Sequence, residues 1–85
     1  MLHIIREFAV TGDHALRLTY SDGEVFVVGF APVIARGGVF AALADAAFFR
    51  LVSVGEGGRY IEWPGEIDFC ADALRMEGER EQKAA

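Results

Sequence analysis

The stretch ALRLTYSDGEVFVVGF, residues 15–30, restricts the fold more than any other part of the sequence. Leu16 and Leu18 alternate with polar residues, which is the period of two typical of a half-buried strand. The turn SDG follows, in which Gly23 accepts a positive φ without steric cost. The returning segment EVFVVGF is apolar on both faces, which predicts a strand that is central in its sheet or covered on one face by another chain.

The flanking segments extend this hairpin into a sheet with helices. HIIREFAV, joined through the turn TGDH, predicts an earlier strand and therefore a three-stranded antiparallel meander. Pro32 closes the third strand. The run VFAALADAAFF then places apolar residues at three- and four-residue spacings, as in a helix docked on a sheet. Asp45 within it is a good N-cap, so we predict one short helix near residues 38–44 and a second turn from about 46 to 50.

The second half of the chain predicts another hairpin and a last helix. RLVSV and RYIEW are its strands, joined by the loop GEGG. Trp63 precedes Pro64 and is therefore held extended, and Gly65 turns the chain directly afterwards. DALRMEG predicts a short helix that ends at Gly78, followed by a charged C-terminal tail over residues 79–85.

These elements place the chain in the α+β class, with an antiparallel sheet built from the N-terminal meander and the second hairpin and with short helices packed on it. A chain of 85 residues that is 53% hydrophobic normally forms one core, so residues 1–78 are predicted to be a single domain. A domain of this size buries only about 60% of the surface that its unfolded chain exposes. Self-association is one way in which it would gain stability.

Charge and cysteine content exclude several classes of function. A net charge of −5 argues against direct binding to nucleic acid, because lysines and arginines that displace counterions supply most of that affinity. A single cysteine forms no internal disulfide and the N-terminus lacks a secretion-signal pattern, so the cytoplasm is the expected compartment. The longest apolar run, VFVVGFAPVIA, is about half the length of a membrane-spanning helix, so no membrane association is expected.

The sequence offers no recognisable catalytic or metal-binding constellation. His3 and His14 lack a second ligand at the close spacing of a zinc site. Cys70 has no basic neighbour that would activate it, and such a cysteine usually behaves as a small buried hydrophobe. Ser53 lies outside any nucleophile-elbow context. We therefore expect a protein that is not an enzyme and that uses no cofactor or metal.

Three carboxylates beside the tryptophan, at Glu62, Glu66 and Asp68, are the strongest candidates for acid–base chemistry or for a hard metal ion. Glu62 alternates with Trp63 along a strand and is expected to face solvent. Asp68 has apolar neighbours and is expected to accept backbone N–H bonds that anchor the turn into the last helix. The segment is thus predicted to be a structural turn, formed by Trp63, Pro64, Gly65 and Asp68, with Trp63 in the core.

Two places remain as candidates for binding. The group Arg36, Gly37 and Gly38 matches no P-loop spacing, but it begins a predicted helix beside an arginine and is the predicted anion site. The adjacent phenylalanines at positions 48 and 49 do not both face inward easily, and the third strand is apolar on both faces. The candidate interaction surface is therefore aromatic and consists of Phe26, Phe30, Phe48 and Phe49.

The order of these motifs resembles the family of domains of unknown function numbered 2442, over residues 4 to about 76. The similarity rests on SDG, on the glycine pair followed by Phe40 and Leu43, on the acidic residue before Phe48-Phe49, and most of all on WPGEIDFCADAL. The family pattern there is matched at Trp63, Pro64, Asp68, Phe69, Asp72 and Leu74. The turn differs, because the family usually has Asn-Gly where this chain has Gly65-Glu66, so any role of the Asn amide is lost.

The resemblance implies a small bacterial α+β domain to which no activity is assigned. Members occur alone or ahead of a helix-turn-helix domain, and stand-alone members lie beside another small gene in an arrangement like toxin–antitoxin pairs. We therefore expect a regulatory, antitoxin-like component that binds a protein, either a neighbouring-gene product or a second copy of itself. Its acidic surface would suit a basic partner. The alternative is a small-molecule or anion sensor that uses the Gly37-Gly38 loop and the aromatic residues near Trp63.

Overall fold

A computed structural model describes residues 3–12 and 14–84, with side chains through residue 81. The strands are β1 Ile5–Val10, β2 Ala15–Tyr20, β3 Val25–Gly29, β4 Ser53–Val54, β5 Tyr60–Trp63 and β6 Ile67–Cys70. The α-helices are α1 Ala31–Ala35, α2 Ala46–Phe49 and α3 Ala71–Ala84, and short 3₁₀ segments cover Gly38–Ala44 and Glu56–Gly58. No helix within these ranges has both the length and the apolar character needed to cross a membrane.

The strands form two antiparallel sheets of three strands each, in the orders β1-β2-β3 and β4-β5-β6. The first sheet is the predicted meander, with Leu16 opposite Val28 and Leu18 opposite Phe26 across the SDG turn. Residue 13 of the TGDH turn lies outside the described residues. The α+β class and the antiparallel meander are confirmed.

The second sheet contains the predicted hairpin of β4 and β5 and one strand that was not predicted. After β5 the chain turns at Gly65 and Glu66, whose φ angles are 91° and 65°, and returns as β6 with Ile67 opposite Trp63. The sequence predicts the last helix directly after this turn. β6 was missed because it has only four residues and runs into α3 without a break.

The segment between the sheets is more helical than predicted. β3 ends at Gly29, before Pro32, and Pro32 lies in the first turn of α1, where its missing N–H costs nothing. The helix predicted near residues 38–44 is present as a 3₁₀ segment. Asp45 then begins α2, because its carboxylate accepts the N–H groups of Ala47 and Phe48 at 2.9 and 3.2 Å. The predicted N-cap is confirmed.

The last helix is longer than predicted. α3 continues through Gly78 to Ala84, so the residues expected to form a charged tail are helical as far as residue 84. Gly78 does not end the helix, because its role is in packing: a Cβ at this position would lie 2.7 Å from Cβ of Phe26. The missing side chain lets α3 approach β3 closely.

The core lies where the two sheets, α2 and α3 meet. Trp63, expected in the core, is 2% exposed, and its indole N–H donates to the Phe49 carbonyl at 2.8 Å. Its ring contacts three others, those of Phe30, Phe49 and Phe69, at centroid distances of 5.4–5.9 Å. These four rings thus form one continuous cluster.

Candidate functional site

The predicted aromatic interaction surface is wrong for three of its four members. Phe26, Phe30 and Phe49 are 4%, 1% and 2% exposed and belong to the core, and Phe48 is partly buried against it. The reason is that α3 covers the inner face of β3, while α2 directs Phe49 toward Trp63. These rings stabilise the fold and do not offer an aromatic surface for association.

The role expected of Asp68 belongs to a different carboxylate. Asp68 lies exposed on β6 and accepts no hydrogen bond from the described residues. Asp72, in the first turn of α3, accepts the backbone N–H of His3 at 3.1 Å and pairs with the Arg59 guanidinium at 3.1 Å. Arg59 also donates to the His3 carbonyl. This network joins the start of β1 to the start of α3.

The same network sets the ionisation of Asp72. The Arg59 guanidinium and then the His3 N–H hold the pKa of the Asp72 carboxyl below its ordinary value of 3.8. One turn further along α3, Arg75 pairs with Asp22 at 2.9 Å and lies over the Tyr20 and Phe26 rings. Both networks fix α3 against the first sheet.

The predicted anion site is only partly assembled. Gly37 and Gly38 have positive φ angles, 75° and 60°, and a 3₁₀ segment of seven residues begins at Gly38. So short a helix has little dipole and presents no ordered set of N–H groups to an anion. Arg36 lies beside a different feature, a groove between α1 and α3.

The residues considered for metal binding or nucleophilic chemistry are dispersed. Within the described ranges, no group of three or more His, Cys, Asp or Glu side chains is placed to hold a metal ion. His14, with a φ of 57°, directs Nε2 to the Ala44 carbonyl at 2.7 Å. Cys70 is exposed rather than buried, and Glu62 is exposed, opposite Asp68 across β5 and β6.

A free strand edge is the feature that sequence reasoning missed. β3 is an edge strand and not a central one. The Tyr20 N–H donates to the Glu24 carbonyl and the Phe30 N–H to the His14 carbonyl, both at 2.9 Å, so the even-numbered positions of β3 point their backbone groups at β2. The odd-numbered positions therefore point theirs outward.

The outward backbone groups of β3 have few partners. The Gly29 N–H lies 3.4 Å from each carboxylate oxygen of Glu81 on α3. No other residue whose side chain is described bonds to the N–H of Val25 or Val27. The side chains of these two valines lie on the face away from the core and are 45% and 51% exposed. The signal in the sequence for this edge was the apolar pattern on both faces of EVFVVGF. That pattern predicted either a central strand or a strand covered on one face by another chain, and for an edge strand only the second interpretation remains.

The two sheets and α3 define a small α+β domain with an open sheet edge. The chain belongs to the family of proteins of unknown function DUF2442, whose sequence pattern matches residues 5–80. No curated protein and no solved structure matches it.

Proposed function

We propose that this chain is a non-catalytic interaction module that binds a partner protein by accepting an additional strand along β3. The observation that carries the proposal is the outward edge of β3, where Val25 and Val27 combine exposed apolar side chains with backbone groups that have no partner among the described residues. In strand addition, backbone hydrogen bonds supply affinity and alternate side chains supply specificity. β3 offers both at Val25 and Val27.

The lack of protection on β3 supports this interpretation. Edge strands usually carry lysine, proline, a bulge or an inward charge that prevents pairing with other chains. β3, with the sequence VFVVG, has none of these. By contrast, β1, the other edge of the sheet, has a register irregularity between Ile5 and Glu7. Glu81 covers only the Gly29 N–H at the end of β3, so β3 is the less protected edge and the one that a partner would use.

Charge favours a basic partner over a second copy of this chain. Glu24 directly precedes β3, and Glu81 lies at its last residue. A second copy would bring a further net charge of −5 against the first, whereas a basic strand would be attracted. We propose that the partner is the product of a neighbouring gene and that the module has a regulatory, antitoxin-like role in the cytoplasm.

The absence of catalysis is part of the proposal. Glu62 and Asp68, the carboxylates with the best claim to acid–base work, are both exposed on the outer face of the second sheet. General acids usually lie in apolar clefts that change their proton affinity. A solvated strand face is a poor environment for such chemistry.

The test is a binding measurement with the purified neighbouring-gene product. Val27→Lys places a charge at the edge, and Thr19→Lys places the same charge on the same face of the central strand. We expect Val27→Lys to weaken binding at least about tenfold while Thr19→Lys changes it little, because only the first alters the edge. Val27→Pro removes an outward N–H and keeps the hydrogen bonds between β3 and β2. It should weaken binding as Val27→Lys does.

The result that contradicts the proposal is equal loss of binding in Val27→Lys and Thr19→Lys, which would indicate docking on the sheet face. No binding by the folded wild type would also contradict it. Circular dichroism of each variant separates loss of binding from loss of fold.

A further inference from the structure

A groove of about 480 Å³ opens between α1, the end of β3, β6 and α3. Its walls are mainly apolar and come from all four elements: Val28, Phe30, Val33, Phe69 and Leu74. Phe30 and Leu74 are core residues, whereas Val33 and Phe69 are only partly buried and close the sides. The volume lies within the roughly 300–1,000 Å³ that small-molecule sites occupy.

The rim of the groove carries the positive charge that the walls lack. Arg36 extends from the end of α1 and Arg80 from α3. Arg80 pairs with Glu77 at 3.2 Å, but Arg36 has no ion-pair partner among the residues whose side chains are described. Arg36 is therefore free to pair with a ligand carboxylate at the mouth of the groove.

We propose that this groove binds a small amphipathic carboxylic acid. Its apolar body would lie on Val33 and Phe69, which are only partly buried, and its carboxylate would accept a bidentate pair of hydrogen bonds from Arg36. Arg80 would contribute at longer range, since it also serves Glu77. An amphipathic cation would lose the pairing with Arg36 and would gain only the single carboxylate of Glu77, which is already engaged.

This site differs from the edge used in the proposed function, and Gly29, the last residue of β3, is the one residue that borders both. The groove lies on the inner side of β3, where Val28 points, while Val25 and Val27 face the opposite side. Either proposal therefore fails or stands without the other.

The experiment is a titration of the full chain with octanoate, in which binding is measured by calorimetry and by changes in ¹H–¹⁵N NMR chemical shifts. Octylammonium serves as the ligand of opposite charge. Arg36→Gln removes the unpaired guanidinium, and Arg50→Gln is the matched control, because Arg50 is also exposed and lines a different cleft beside His14. Ala73→Phe fills the groove from an exposed position on α3.

We expect saturable octanoate binding at millimolar concentration or below, with shifts at residues that line the groove. Arg36→Gln should weaken it about tenfold and Ala73→Phe should abolish it, while Arg50→Gln leaves it unchanged. The proposal is overturned if octanoate does not saturate, if octylammonium binds equally well, or if Arg50→Gln weakens binding more than Arg36→Gln does. A peptide with a free C-terminal carboxylate should also be titrated. If the peptide binds tightly and octanoate does not bind, the proposal is overturned, because the groove would then recognise proteins.

Discussion

The loop between β4 and β5 contains a glycine that is required by a neighbouring side chain and not by its own backbone. Gly55 has a φ of −78°, which any residue adopts. A Cβ at this position would overlap the ring of Tyr60, which lies over it across the hairpin. Gly57 and Gly58 differ, because their φ angles are 69° and 72°.

Gly55→Ala should therefore destabilise the protein in the presence of Tyr60 and stabilise it in its absence. With the ring present, the half-buried Tyr60 or the loop must move, and overpacking of this kind costs about 1–3 kcal/mol. In a Tyr60→Ser background the clash is gone, and alanine gains about 0.4–1 kcal/mol by restricting the unfolded chain. The expected interaction energy between the two sites is then about 1.4–4 kcal/mol.

The assay is urea denaturation of the wild type, both single variants and the double variant, followed by fluorescence of Trp63, the only tryptophan. Gly65→Ala is the control: its φ of 91° strains any side chain, but no atom of the described residues beyond its two chain neighbours lies within 4 Å of the new Cβ. Its cost should be the same in both backgrounds. If Gly55→Ala destabilises equally with and without the Tyr60 ring, the steric explanation is refuted.

Three further predictions concern the networks that hold the elements together. Trp63→Phe should lower the free energy of unfolding by about 2 kcal/mol, because the Phe49 carbonyl loses its 2.8 Å donor in the core; a loss below about 0.5 kcal/mol in urea denaturation followed by circular dichroism would contradict this. Burial raises the pKa of Tyr20 from 10.0 to about 12, so its contribution is complete below pH 10 and is lost as pH rises toward 12; Tyr20→Phe should remove this alkaline loss in denaturation curves. Because the pKa of Asp72 is lowered, its contribution is present above pH 3.8 and is lost as pH falls through the folded-state value. Asp72→Asn should flatten that acid limb, and an unchanged limb would argue against the Arg59 pairing.

Features that depend on neighbours along the chain were predictable. The alternation in ALRLTY, the Gly23 turn and the Asp45 cap each arise from contacts within a few residues, so the local sequence contains the whole cause. Trp63 belongs here too, because a large apolar residue in so small a domain has few places outside the core.

Features that depend on the element opposite were not predictable. Phe26 is buried because α3 covers β3. Gly78 of α3 is required by the same contact, because a side chain there would collide with Phe26. A local pattern shows that a residue is apolar but not what lies across from it. Asp68 and Asp72 illustrate the same limit, since the network at Asp72 needs His3 from the other end of the chain.

The sequence by itself determined that EVFVVGF forms a strand that is apolar on both faces, because alternation and turn chemistry act locally. Only the tertiary structure decided that this strand lies at an edge, with α3 on its inner face and Val25 and Val27 exposed on the other. Strand order depends on which surfaces the packed elements bury against one another. The free energy of that burial includes contacts between distant parts of the chain, so it is determined only when the whole chain has folded.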